Sequence, residues 1–136
     1  MVNITRFSSD NFEEGTPFTP VYPDTGEPME GVELWVKSSN SNAALPIVSR
    51  VTNKAAVHQA QLQRTGKSNI DLEDSIKDDV ALACAVLVDF KGFTDDGGKT
   101  IEATPEVIKD LMTKHNWLRA QVLAKANDAT FFYKSA

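Results

Sequence analysis

This chain of 136 residues lacks most of the features that would announce chemistry. It has a single cysteine, Cys84, so no disulfide can close within it. A lone cysteine inside an apolar run reads as a buried structural thiol, and the expected compartment is the cytosol. The two histidines, His58 and His115, have no His, Cys or carboxylate at metal-ligand spacing, and there is no HExxH. A GxSxG nucleophile turn, a P-loop and a Rossmann glycine set are all missing. Lys and Arg number 14 against 19 Asp and Glu, a net charge of -5 with no basic cluster. That balance speaks against nucleic acid as a main partner, because neutralising phosphates takes grouped cations. The longest unbroken apolar run, Val80 to Val88, is far below the roughly 20 residues that span a bilayer. The opening MVNITRFSSDNFEEG has no apolar stretch of signal-peptide type, so no membrane association is expected.

What is present is ordinary for a globular protein: 41% apolar and 24% charged residues, in a length that suits one compact unit. Residues 1–43 differ from the rest. They hold four of the six prolines and a polar loop, Ser38-Ser39-Asn40-Ser41-Asn42. Pro23-Asp24-Thr25-Gly26-Glu27-Pro28 reads as a tight turn between residues 17–22 and 32–37. The latter alternates, with Val32, Leu34 and Val36 on one face and Glu33, Trp35 and Lys37 on the other. A short β-hairpin or flap is expected here. It would be marginal alone and must pack on helices or on a neighbouring copy.

From residue 44 to 136 the pattern is helical. Ala44, Val48, Val51, Ala55, His58 and Leu62 fall on one helical face, with Val57 on the opposite side. Pro46 fixes the start near Leu45, and Gly66 ends the helix. A second helix is expected to begin between Ser68 and Asp74, where Asp71, Glu73 and Asp74 suit the positive end of the helix dipole. Its stripe runs Leu72, Ile76, Val80, Ala83, Leu87, Phe90, so the spacing predicts helix as far as Phe90. Asp95-Asp96-Gly97-Gly98 is a turn. Thr104 is a helix N-cap with Pro105 in the first turn and Glu106 behind it. Val107, Ile108, Leu111 and Met112 form that helix's apolar side. A last helix from Trp117 carries Leu118, Val122 and Ala126 and ends near Asn127-Asp128. The expected fold class is mainly α (α+β), with four or so packed helices and a short N-terminal β-hairpin or flap.

No constellation of catalytic residues emerges. Asp89, Asp95 and Asp96 could suggest a cation or a small hydrolase, but the alternating oxygen ligands of a calcium loop are missing and Asp with Gly is ordinary turn composition. The chain is expected not to be an enzyme and to need no cofactor or metal. Apolar groups without an obvious home are the stronger signal. Trp35 points away from Leu34, Val57 lies off its stripe, and Phe131 and Phe132 sit near the end of the sequence. These four are the candidate partner-binding residues, since exposed apolar groups mark interaction sites.

The order of motifs in the second half carries a resemblance. Asp89-Phe90-Lys91-Gly92-Phe93 is followed by Asp95-Asp96-Gly97-Gly98, then Thr104-Pro105-Glu106, then Trp117-Leu118-Arg119-Ala120-Gln121-Val122, then Phe131-Phe132. This resembles the tail assembly chaperones of long-tailed, lambda-like bacteriophages (siphophages), although Phe90 stands where that pattern often has Trp. The resemblance implies a chaperone that binds the tape measure protein, with the major tail tube protein and a frameshift-extended form of itself as further partners. It also implies a homo-oligomer working in the host cytoplasm and absent from the mature virion. The alternative is a minor tail or head–tail component retained in the particle.

Overall fold

The structure is a computed structural model that describes residue 4, residues 9–66 and residues 72–133. Among these the chain forms five α-helices and a three-stranded antiparallel sheet, an α+β fold. A short 3-10 helix, Ser9–Glu13, precedes strand β1, Thr16–Phe18, and β2, Glu33–Val36. Helices α1, Leu45–Thr65, and α2, Leu72–Val86, follow. Strand β3 is Leu87–Lys91, and α3, α4 and the single-turn α5 are Pro105–Lys114, Asn116–Ala126 and Ala129–Phe132.

The expected flap exists, with β1 antiparallel to β2 and Pro17 on the edge strand, where its missing N–H does no harm. The flap does not stand alone. Strand β3, from the second half of the sequence, pairs along the other side of β2 and makes it the central strand. Leu34 and Val36 are fully buried on the face toward the helices, while Glu33 and Trp35 lie on the other face. The alternation read from the sequence is therefore the alternation of a half-buried strand.

The expected continuation of α2 to Phe90 is not what forms. The helix ends at Val86, and Leu87–Lys91 becomes β3. Phe90 pairs with Leu34, and Leu87 with Val36, across a register irregularity that leaves Val88 extra. A bulge of this kind puts two residues on one strand opposite one on its partner. Leu87 and Phe90 thus share the buried face at a spacing of three, the same spacing a helix would give.

Capping follows local rules. Gly66 closes α1 in the left-handed conformation, its N–H donating to the Leu62 carbonyl. The Thr104 hydroxyl accepts from the Val107 N–H and starts α3 ahead of Pro105. Beyond β3, Gly92 has φ of +97°, and a Cβ there would lie 2.3 Å from the Gly31 carbonyl oxygen. Glycine is required at that crossing for both reasons.

The polar loop at 38–42 is not a solvated connection. Ser38, Ser39 and Ser41 are buried. The Ser39 N–H donates to the Ala126 carbonyl at the end of α4, and the Asn42 N–H donates to the Glu13 carboxylate at 2.7 Å. The loop satisfies a helix C-terminus and ties the N-terminal segment to the helical layer. The core beneath it is built from Leu34, Val36, Ala83, Val86, Met112, Leu118, Val122 and Phe132.

Candidate interaction surfaces

The four residues singled out from the sequence occupy three different environments. Phe132 is inside the core at 3% exposure. Its ring meets Phe12 edge-on, with centroids 6.1 Å apart, and Phe131 at 5.0 Å. Phe131 is half-buried, stands edge-on to Phe18, and lies under the Lys125 ammonium, 5.1 Å from the ring centre. The aromatic pair thus clamps the N-terminal segment and β1 onto the helices. Trp35 is half-buried on the outer face of the sheet, beneath the Lys91 ammonium at 5.8 Å. Lys91 also approaches Glu33 at 3.8 Å, and Gly15 crosses beside Trp35 and Val88. Val57 alone is widely exposed, at 59%.

Val57 sits on an arm formed by α1 and the first half of α2. Two cations of α1, Arg50 and Lys54, both reach Asp78 of α2 at 3.2 Å. At and beyond that anchor the apolar stripe of α1 is incompletely covered: Val51 and Leu62 are each 39% exposed, and Ile76 of α2 is 42% exposed. One turn further along α2 the same stripe closes. Val80 is buried, and Ala83 and Val86 are completely so, because there α3 and α4 pack against the helix. Among residues whose burial is described, only His58, Ile47 and Val48 of α1 are half-buried, apart from buried Ala44 just before the helix.

The motifs of the second half serve the architecture. In Trp117-Leu118-Arg119, Leu118 is a core residue. Arg119 Nη1 donates to the Met112 carbonyl at 2.9 Å across the junction of α3 and α4, and Trp117 stands edge-on to His115. Gln121 bonds the Val21 backbone twice, Nε2 donating to its carbonyl and Oε1 accepting from its N–H, each at 2.9 Å. The Asp95 carboxylate accepts from the Gly97 and Lys99 N–H groups, so it organises its own turn. No group of three or more His, Cys, Asp or Glu residues suited to a metal ion occurs among the described residues. No helix there is long and apolar enough to cross a membrane.

A shallow cleft of about 330 Å³ lies between α2, β3 and α3, lined by Cys84, Leu87, Val88, Ala103, Pro105, Ile108 and Lys109. Burial pushes the Cys84 thiol above the ordinary cysteine range, with the nearby Lys109 charge opposing. A thiol held protonated is a poor nucleophile and suits a packing role.

Sequence reasoning placed Val57 off the apolar stripe, where it is exposed, and placed Val51, Leu62 and Ile76 on stripes whose exposure it did not address. Their periodicity marks an apolar face without saying what covers it. The charge pattern held a further signal: α1 carries Arg50, Lys54 and Arg64 and no acidic residue, in a chain of net charge -5.

Together these features define a small α+β protein whose helical arm exposes apolar side chains beyond a well-closed core. The chain belongs to the YdaY prophage protein family, whose model matches residues 41–136 and so takes in all five helices and β3. It is a phage-derived protein. No match was found among curated proteins or among solved structures.

Proposed function

We propose that this prophage protein is a tail assembly chaperone, a non-catalytic interaction protein that binds the tape measure protein and keeps it soluble until the tail tube forms around it. The observation that carries this reading is Val57, 59% exposed on the outer side of α1. Around it lie Ser49, Asn53, Ala56 and Ala60, all exposed and uncharged. Arg50, Lys54 and Arg64 stand one and two turns from Val57 on the same side, so the helix offers an apolar contact with small neighbours and a basic rim, which suits the helix-packing mode of recognition. The phage origin of the family and the order of motifs from Asp89 to Phe132 support the same reading. In it the chain works in the host cytoplasm and leaves before the particle matures.

Co-expression with the tape measure protein of the same prophage tests the proposal. The expected result is a soluble complex that is lost on Val57→Ser while the variant stays folded. A tape measure protein that remains insoluble beside the wild-type chain overturns it. Finding the chain in stoichiometric amounts in purified particles would favour the alternative, a retained minor tail or head–tail component.

A further inference from the structure

We infer that the seam of the arm, Val51 and Leu62 of α1 with Ile76 of α2, is where a second copy of this chain docks, two arms completing a four-helix bundle. The inference does not rest on the chaperone reading. It concerns the opposite side of α1 from Val57, which a bound copy would leave open. The first observation is the step in burial along α2. Ile76 is 42% exposed and Val80, one turn away on the same stripe, is buried. Where α3 and α4 are present the stripe closes, and where only α1 is present it does not. A two-helix layer covers each seam residue from one side, and a bundle of four covers it from both.

Charge selects the occupant. The exposed helix α1 has three basic residues and no acidic one. The arm portion of α2 reads LEDSIKDD, four acids to one lysine. Among the described residues Asp78 is the carboxylate that meets cations of α1, taking both Arg50 and Lys54. Neither Arg64 nor Asp79 forms an ion pair among the described residues. A basic helix beside an acidic one is self-complementary under two-fold rotation, because α1 of each copy can lie on α2 of the other. Such pairing joins apolar seam to apolar seam and sets opposite charges at the rim, as specific interfaces do. A chain that is acidic overall is also a fitting partner for an exposed helix that carries cations and no acid.

Sedimentation velocity and amide hydrogen exchange over a dilution series of the full chain test this. The expected outcome is a dimer that dissociates on dilution, with protection of residues 45–65 rising with concentration. The double variant Leu62→Ser with Ile76→Ser should be monomeric, while Val57→Ser, on the outer side, should dimerise as the wild type does. A wild-type chain that stays monomeric throughout overturns the inference. So does a dimer whose concentration-dependent protection lies in the sheet instead of α1. Protection of α1 that appears only when tape measure protein is added would assign the seam to that partner and also overturn it. The exchange experiment uses wild-type protein alone, so it decides the matter even if the double variant fails to fold.

Discussion

Phe12 and Phe132 are 120 positions apart and meet ring edge to ring face, their centroids separated by 6.1 Å. Phe132 is the buried partner, and the Tyr133 ring also lies 6.1 Å from that of Phe12. This contact makes the last described helix part of the core. Phe132→Ala should destabilise the fold by about 3–5 kcal/mol, the usual range for removing a buried phenyl ring. Urea unfolding followed by circular dichroism measures it. A change below about 1 kcal/mol would mean that the ring is dispensable to the core. Phe131→Ala, at the half-buried position under Lys125, should cost less.

Ser41 is completely buried, and its hydroxyl has no hydrogen-bond partner among the described residues. Its backbone carbonyl accepts from the Ala44 and Leu45 N–H groups and so helps to start α1, a role that any residue can fill. An unsatisfied buried hydroxyl carries a desolvation penalty that alanine does not. Ser41→Ala should therefore raise stability by about 1 kcal/mol, seen as a rise of a few degrees in the thermal midpoint. A fall in midpoint would show that the hydroxyl has a partner in solution.

Much of the architecture was legible where a short-range rule decides it. Pro46 and Gly66 bracket α1, Thr104 caps α3, and Asp95 builds its turn, each through atoms within a few residues. The boundary at Val86 was not legible. Leu87 and Phe90 continue the helical spacing of Val80 and Ala83, and only pairing with β2, some fifty residues earlier, makes that segment a strand. The Lys37 N–H donating to the Val86 carbonyl at 2.8 Å marks the point where that distant pairing takes over. For the same reason the apolar stripe of α1 marked a face and left its exposure undetermined. Periodicity describes one element, and burial depends on its neighbours. Val57 was found because its departure from the stripe is local; the core position of Phe132 depends on Phe12 and could not be seen.

Burial raises the Cys84 thiol above its ordinary range, and this has a consequence for stability. On raising the pH, the unfolded chain loses the thiol proton first, so the folded state then holds more protons. Stability must fall with pH in that interval. The stabilising contribution is complete below the unfolded cysteine value and is lost as pH rises through the folded one. Comparing wild type with Cys84→Ala in denaturant titrations from neutral to alkaline pH should show a shallower decline in the variant. The folded wild type should also react slowly with an alkylating agent at mildly alkaline pH. Equal slopes together with rapid alkylation would mean that the thiol is open to water.

Asp78 is the carboxylate through which α2 holds α1, since its two oxygens take Arg50 and Lys54 at 3.2 Å. Its own side chain is well covered while both cations are half exposed, so each pair alone contributes less than about 1 kcal/mol. That energy is small against a whole domain but large against the local stability of an arm whose seam is only partly closed. Asp78→Asn should therefore leave the global unfolding midpoint nearly unchanged while hydrogen exchange in residues 45–65 accelerates. High salt should reproduce part of the effect on the wild type, because exposed charges are screened. The amides of α4, packed around Leu118 and Val122, should be unaffected and provide the internal reference. If exchange in α1 and α4 accelerates together, the arm unfolds only with the core, and α1 is not an independently opening element.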